Sequence, residues 1–541
     1  MADGRAETKS ASEAGSNVQV GQWRKQSGRA LLQLCGAFML YWVSYGTDLS
    51  DGIIYARLIL PPCDSSNNTV RQESGTDRSN GTMATSTSWT DMATARLIIS
   101  PSPLVLNNET NQSVPLQPCG GFGEGASRTA WITSLSSAVR VGLAFMGGVF
   151  IDACGVRATV IVSSVLFSLG LVLSSFGTQL YHLYLARGIL SGMASGVIFS
   201  TPIHCLALSF DNQIALATGI AYTGSGVCAI VYGYLGKEVV SAGDWRWYYR
   251  MVAFFGLLCI PAVYLMDMRP PSPDIKSPPD HYAAEGHQET GVKVACSRVL
   301  QRLRQGFRDL FESLKKGSVL YHDVNFLLMS GCYFLYAMGY FFPFISSSHR
   351  SRALGIQSSD VYLQVAYIGF GTIAGFLLCA ANGLLLIMRC TLFQALCLAV
   401  MGSSMLLSIL VETESSLTAY NIFYSVISGA CSAACGPAAR EVVSAEMTVH
   451  AFGHLYLLSF PAMALGPPIA GWIYDLTQSY TLPLVFGGLV LFLAAAMILI
   501  ADVRIYRQRN RSATMDKRKH SDGAIALTGR QLLDTWVETS L

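Results

Sequence analysis

The sequence predicts an all-α integral membrane protein whose twelve spanning helices form two sets of six. Three observations carry the prediction. Only 13% of the 541 residues are charged and 51% are hydrophobic, whereas soluble domains carry about 25% charged residues. Ten stretches hold no Asp, Glu, Lys or Arg: 158–186, 188–210, 212–236, 251–266, 324–349, 361–388, 390–411, 415–439, 447–474 and 476–501. Basic residues gather instead at the N-terminus, in a middle loop and in the tail. A helix needs roughly 20 apolar residues to cross about 30 Å of hydrocarbon, and each stretch holds most or all of one.

The elements follow in chain order. Residues 1–29 carry Arg5, Lys9, Arg24, Lys25 and Arg29; they are polar, unlike a cleaved signal peptide. Span 1, near 30–57, and span 2, near 128–151, are apolar stretches interrupted by a few charges. Between them, 61–127 is rich in Ser, Thr and Asn, with acceptor sequons at Asn67, Asn80, Asn108 and Asn111. Glycosylation there requires the lumenal side. Cys63 and Cys119 bracket this insertion and are candidates for a disulfide in that oxidising space. Spans 3 to 6 complete an N-terminal bundle, 30–268. The loop 269–321 carries Arg298, Arg302, Arg304, Arg308, Lys315 and Lys316, and its second half has the pattern of a basic amphipathic helix. Such a helix either lies on the inner membrane surface or is simply solvated. Spans 7 to 12 form a C-terminal bundle, 322–503, followed by a basic tail, 504–541. Positive loops stay inside, which places both termini and the middle loop in the cytoplasm and the insertion outside.

Helices are the form these spans take, because their apolar residues run on without the two-residue alternation of a membrane barrel. A soluble helical core would need polar outer faces, and none shows. The net charge of +3 gives no argument for nucleic acid, and the 14 cysteines lack zinc or CxxC spacing. No GxxxxGK[ST], HExxH or GxSxG occurs, so no metal, cofactor or enzyme activity is expected.

Between spans 2 and 3 the chain reads GVFIDACGVR, with Gly148, Asp152, Gly155 and Arg157. This resembles the GxxxDxxGxR signature loop of the major facilitator superfamily, where glycines permit a tight turn and Asp and Arg pair or cap helix ends. A narrower resemblance, to the monocarboxylate transporter family, rests on 451–480 with Gly466-Pro467-Pro468, Gly471-Trp472 and Tyr474-Asp475. Trp131-Ile132, LATGIAYTGSGV at 216–227, Trp245-Arg246 and Phe342-Pro343-Phe344 support it. The resemblance implies the major facilitator fold, two six-helix bundles around a cavity with alternating access. It also implies, for some relatives, a single-span immunoglobulin-type ancillary partner.

The departures bear on mechanism. Proton-coupled lactate carriers of that family keep an Asp and an Arg four apart in span 8, where this chain has Thr372 and Phe376. Their span 1 lysine aligns with Leu49, and a span 11 arginine with Ser459. The loop after span 4 has Asn212, Gln213 and Ile214 where basic residues usually stand.

Charges that remain inside spans are functional candidates, since burying one costs a few kcal/mol. Arg140, midway along span 2, either binds a substrate carboxylate or pairs with Asp48 or Asp51 of span 1; both hold if substrate displaces the acid. Asp48 and Asp51 share one helix face and either relay a proton or a cation or are wetted near the outer end. Arg187 in span 4 is a binding candidate or an interfacial snorkel. His204 and His454 are proton shuttles or neutral hydrogen-bonding groups. The glycines at 188, 192 and 196 predict close helix packing. The ending Glu538-Thr539-Ser540-Leu541 fits a PDZ ligand. The reading is a plasma-membrane secondary transporter of a small organic anion, monocarboxylate or amino-acid-like solute, not of the usual proton-lactate type. The competing class is a non-transporting receptor or adhesion protein on the same scaffold.

Overall fold

A computed structural model describes residues 31–50, 104–106, 113–115, 125–144, 146–209, 214–242, 245–266, 292–354, 362–385, 387–443 and 447–540. Asp51, Cys63, Cys119 and the four sequon asparagines lie outside the described residues, as do the side chains of Asp152 and His204.

Among the described residues ten helices are long and apolar enough to cross a membrane. They are spans 3 to 12 of the sequence reading. Spans 1 and 2 are helical too, but each is broken: span 1, 31–50, at Tyr45, and span 2 into Ala126–Leu143 and Met146–Cys154. Broken in this way, and in span 2 interrupted by Arg128 and Arg140, neither presents a helix long and apolar enough to be counted with the ten. The fold is an all-α multi-pass membrane protein. Its one addition to the sequence reading is a short antiparallel pair within the insertion, Leu104–Leu106 against Ser113–Pro115.

Span 3 is Val156–Ser175, and span 4 runs through Leu180–Leu183, a π-helical Tyr184–Ser191 and Gly192–Ser209. Span 5 is Ile214–Ala242, and span 6 joins Trp245–Gly256 to Cys259–Leu265. A linker helix, Val292–Gly317, separates these from span 7, Val324–Gly339 continuing through Phe342–Ala353. Spans 8, 9 and 10 are Leu363–Leu385, Cys390–Leu407 and Glu414–Val442. Span 11 is Thr448–Thr477. Span 12, Thr481–Ser540, is one 60-residue helix; at 1.5 Å per residue it is about 90 Å long, so its second half extends past any bilayer.

Without a hydrophobic gradient inside lipid, helices associate by close packing at small residues. The signature loop shows this at its turn: Gly155 caps span 3 with φ 81° and ψ 155°, a region essentially reserved for glycine. Arg157 lies over the Tyr264 ring of span 6 at 5.5 Å. Gly466, in the Gly-Pro-Pro run, sits where a Cβ would meet the Met338 carbonyl oxygen of span 7 at 2.3 Å, so span 11 presses its backbone onto span 7. Glu441 of span 10 accepts from the Cys390 and Thr391 backbone N–H groups at 2.8 and 3.0 Å, capping span 9.

The two halves meet along two helix pairs. Span 5 packs on span 8, with Gly219 facing Ala380, Gly226 facing Ile373 and Gly233 facing Ala366. Span 2 packs on span 11, where Asp475 accepts from the Ser127 hydroxyl at 2.6 Å and its backbone N–H at 3.0 Å.

Candidate functional site

The site begins with a row of glycines. Gly188, Gly192 and Gly196 lie one turn apart on span 4, and Cβ atoms there would meet Leu135, Ser136 and Arg140 of span 2. At Gly196 the nearest atom is the Arg140 carbonyl oxygen, at 2.7 Å. Only a side-chain-free surface lets span 2 come this close, and the approach sets Arg140 and Arg187 beside each other. The π-helical turn 184–191 holds Arg187; such insertions re-aim side chains and recur at functional sites.

Between the two arginines stands Asp48 of span 1. Its Oδ2 accepts from Arg140 Nε at 2.7 Å and from the Ser137 hydroxyl at 2.9 Å; its Oδ1 accepts from Arg187 at 3.2 Å. Arg187 also donates to Ser136 Oγ at 2.7 Å. Arg140 and Arg187 are each 1% exposed and Asp48 is 7% exposed. The wetted reading of Asp48 and the snorkelling reading of Arg187 therefore do not describe this structure. Buried ions persist only when paired and hydrogen-bonded, and this carboxylate meets that condition at both oxygens.

Arg140 is further held by aromatic faces: its guanidinium carbon lies 5.1 Å from the Tyr45 ring centre and 5.0 Å from that of Phe199. Cation–π contacts of this kind strengthen when desolvated. Tyr45 then reaches across the halves, its hydroxyl 2.7 Å from that of Tyr340, at the turn between the two helices of span 7. Tyr222 of span 5 stacks between Tyr41, at 4.2 Å, and Phe376 of span 8, at 5.4 Å.

Charge sets the chemistry here. Among the described residues one carboxylate, Asp48, opposes two guanidiniums. Among the described residues the other buried carboxylate is Asp502, about a third of the way along span 12, which pairs with Arg389 at 2.8 Å. The positions where related carriers hold a charged pair are neutral and occupied. Thr372 donates to its own helix at the Ile368 carbonyl, 2.8 Å away, and Phe376 is stacked. Ser459 likewise donates to Leu455, at 2.7 Å.

Sequence reasoning named Asp48, Arg140 and Arg187 and did not name their supports. Ser136 and Ser137 stand four and three residues before Arg140, a spacing that shares its helix face, so SLSSAVR held the signal. The aromatic clamp held none, because Tyr45 and Phe199 come from different helices. His454 is a hydrogen-bonding group: its ring lies 3.0 Å from the Leu314 carbonyl oxygen and 3.1 Å from the Tyr321 hydroxyl.

The family model described as Major Facilitator Superfamily matches residues 86–438. Monocarboxylate transporter 12 of Mus musculus is 27% identical over 418 residues, 75% of this chain and 83% of that protein. Monocarboxylate transporter 12-B of Danio rerio is 26% identical over 410 residues, 72% and 82% of the two chains. Monocarboxylate transporter 4 of Gallus gallus is 24% identical over 383 residues, 70% and 76%.

Proposed function

Because this chain belongs to the Major Facilitator Superfamily, as a divergent member similar to the monocarboxylate transporters, we propose that it carries a small organic anion by alternating access. The observation that carries this reading is the buried set Asp48, Arg140 and Arg187, in which two guanidiniums converge on one carboxylate. A substrate carboxylate replaces the Asp48 carboxylate on Arg140, whose fork suits bidentate recognition, and Asp48 retains Arg187. The Tyr45, Phe199 and Tyr222 rings face an apolar substrate body, which favours a monocarboxylate or amino-acid-like solute over an inorganic anion. Binding at this midplane set, between helices of the two halves, lets rocking of 30–268 against 322–503 expose it to either side.

Neutral Thr372 and Phe376 support a route other than the usual proton-lactate symport, since a proton carrier needs a titratable group where none stands. The basic segments support a plasma-membrane orientation with both termini and the linker inside. An immunoglobulin-type ancillary partner and a PDZ contact at the C-terminus are part of the same proposal.

The test is uptake of labelled lactate, then of a panel of amino acids and organic anions, in cells expressing the chain or its Arg140→Ala variant. Surface amount is measured on the same cells. Saturable uptake lost in the variant at equal surface level is the expected result. Acid-stimulated lactate uptake would overturn the coupling claim. Good surface display with no flux for any solute would favour the receptor reading.

A further inference from the structure

The linker helix Val292–Gly317 has no part in the transport reading, yet it is seated against both halves. Gly306 lies on Val149 of span 2, where a Cβ would approach at 2.7 Å. Phe307 meets Phe150 edge-on at 6.3 Å. At its other end the Leu314 carbonyl oxygen is 3.0 Å from His454 of span 11. Val149 is five residues from the end of span 2 and His454 six from the start of span 11. The helix therefore lies within one to two turns of both span ends, at the depth where lipid headgroups begin.

With 3.6 residues per turn, its surface divides into three stripes. Leu303, Gly306, Phe307, Leu310, Leu314 and Gly317 are the buried or half-buried ones and face the protein. Beside them Leu300, Arg304, Arg308, Phe311 and Lys315 form a line of residues three and four apart, all exposed. Phe311 is 75% exposed, the most of any large hydrophobic side chain described. The remaining stripe, Arg302, Gln305, Asp309, Glu312 and Lys316, is exposed and balanced in sign. A solvated helix would scatter its positive charge and would not expose Phe311 and Leu300. Here three uncompensated cations flank the two apolar side chains on the stripe adjoining the protein. That combination, apolar groups for the acyl boundary and Lys or Arg for anionic headgroups, marks an interfacial helix.

We propose that the Leu300–Arg304–Arg308–Phe311–Lys315 stripe docks on anionic phospholipid headgroups of the leaflet facing the linker. Phe311 and Leu300 enter the acyl boundary, and the three cations contact phosphate and carboxylate groups.

The test compares hydrogen–deuterium exchange of the full chain in nanodiscs of phosphatidylcholine alone and of phosphatidylcholine with phosphatidylserine. Each disc has the same composition in both leaflets, so the result does not depend on the orientation or substrate of the transporter. Exchange across 300–316 should slow several-fold with phosphatidylserine and recover in high salt. Arg304→Gln/Arg308→Gln/Lys315→Gln should abolish the slowing, each charge contributing about a fivefold factor near an anionic surface. Arg302→Gln/Lys316→Gln, on the balanced stripe, should retain it and shows that the fold survives loss of linker charge. Equal exchange in both lipids, or equal loss in the two variants, overturns the proposal. Protection that needs added cytosolic protein and ignores lipid would assign the stripe to a protein partner and overturn it as well.

Discussion

Within the first six spans a buried carboxylate is gripped by two guanidiniums; within the last six a buried amide, Asn421, is bonded to an amide and a hydroxyl. There Asn421 donates to Gln364 Oε1 at 2.9 Å and to Ser347 Oγ at 2.8 Å. The packing beneath them is alike. Gly196 of span 4 admits the Arg140 backbone of span 2, and Gly429 of span 10 admits the Thr372 backbone of span 8, each with a carbonyl oxygen 2.7 Å from where a Cβ would stand. The same small-residue contact thus presents an arginine in one half and a threonine in the other. Helix docking and the polar chemistry it presents are separable in this scaffold, and the carboxylate shared by two arginines lies in the first six spans.

The sharpest way to break that comparison is Arg140→Ala. Removing one partner of a buried pair costs about 3–5 kcal/mol, and uptake per surface copy should fall to background. Asn421→Ala, the counterpart on the neutral side, should leave most of it. Arg140→Lys should keep more protein at the surface than Arg140→Ala and still lose uptake, because lysine lacks the planar fork. Gly196→Val and Gly429→Val should lower thermal stability by similar amounts, about 1–3 kcal/mol each by overpacking, with only the first altering substrate affinity; equal effects on affinity would mean that both halves bind. Tyr45→Phe removes the hydroxyl contact to Tyr340, a net loss of about 1 kcal/mol, and should shift KM modestly at unchanged surface level. Gly453→Ala is the smallest change: no atom lies within 4 Å of its Cβ position. A thermal-melt gain of up to about 1 kcal/mol is expected from helix propensity.

How much of this was legible follows from where the energy lies. Thr372 and Phe376 could be read as neutral, but not that one bonds its own helix and the other stacks on Tyr222. Arg187 could be read as a charge in a span, with snorkelling as an equal alternative. Its burial depends on the π-helical turn and on Gly188 and Gly192, whose spacing was visible but whose partner helix was not. The basic amphipathic linker was legible as a pattern. Its seat on Val149, Phe150 and His454 was not, because those contacts join residues far apart in the chain.

The sequence by itself determined the number of spans, their helical form and the residues too costly to bury without purpose, because a bilayer penalises every unpaired charge and backbone group regardless of neighbours. Only the tertiary structure decided that Asp48 answers to both arginines, that rings from two helices close on Arg140, and that the linker rests on both halves. Pairing depends on which helix faces come together, and that is settled by side-chain packing between segments rather than by the transfer energy of any one of them.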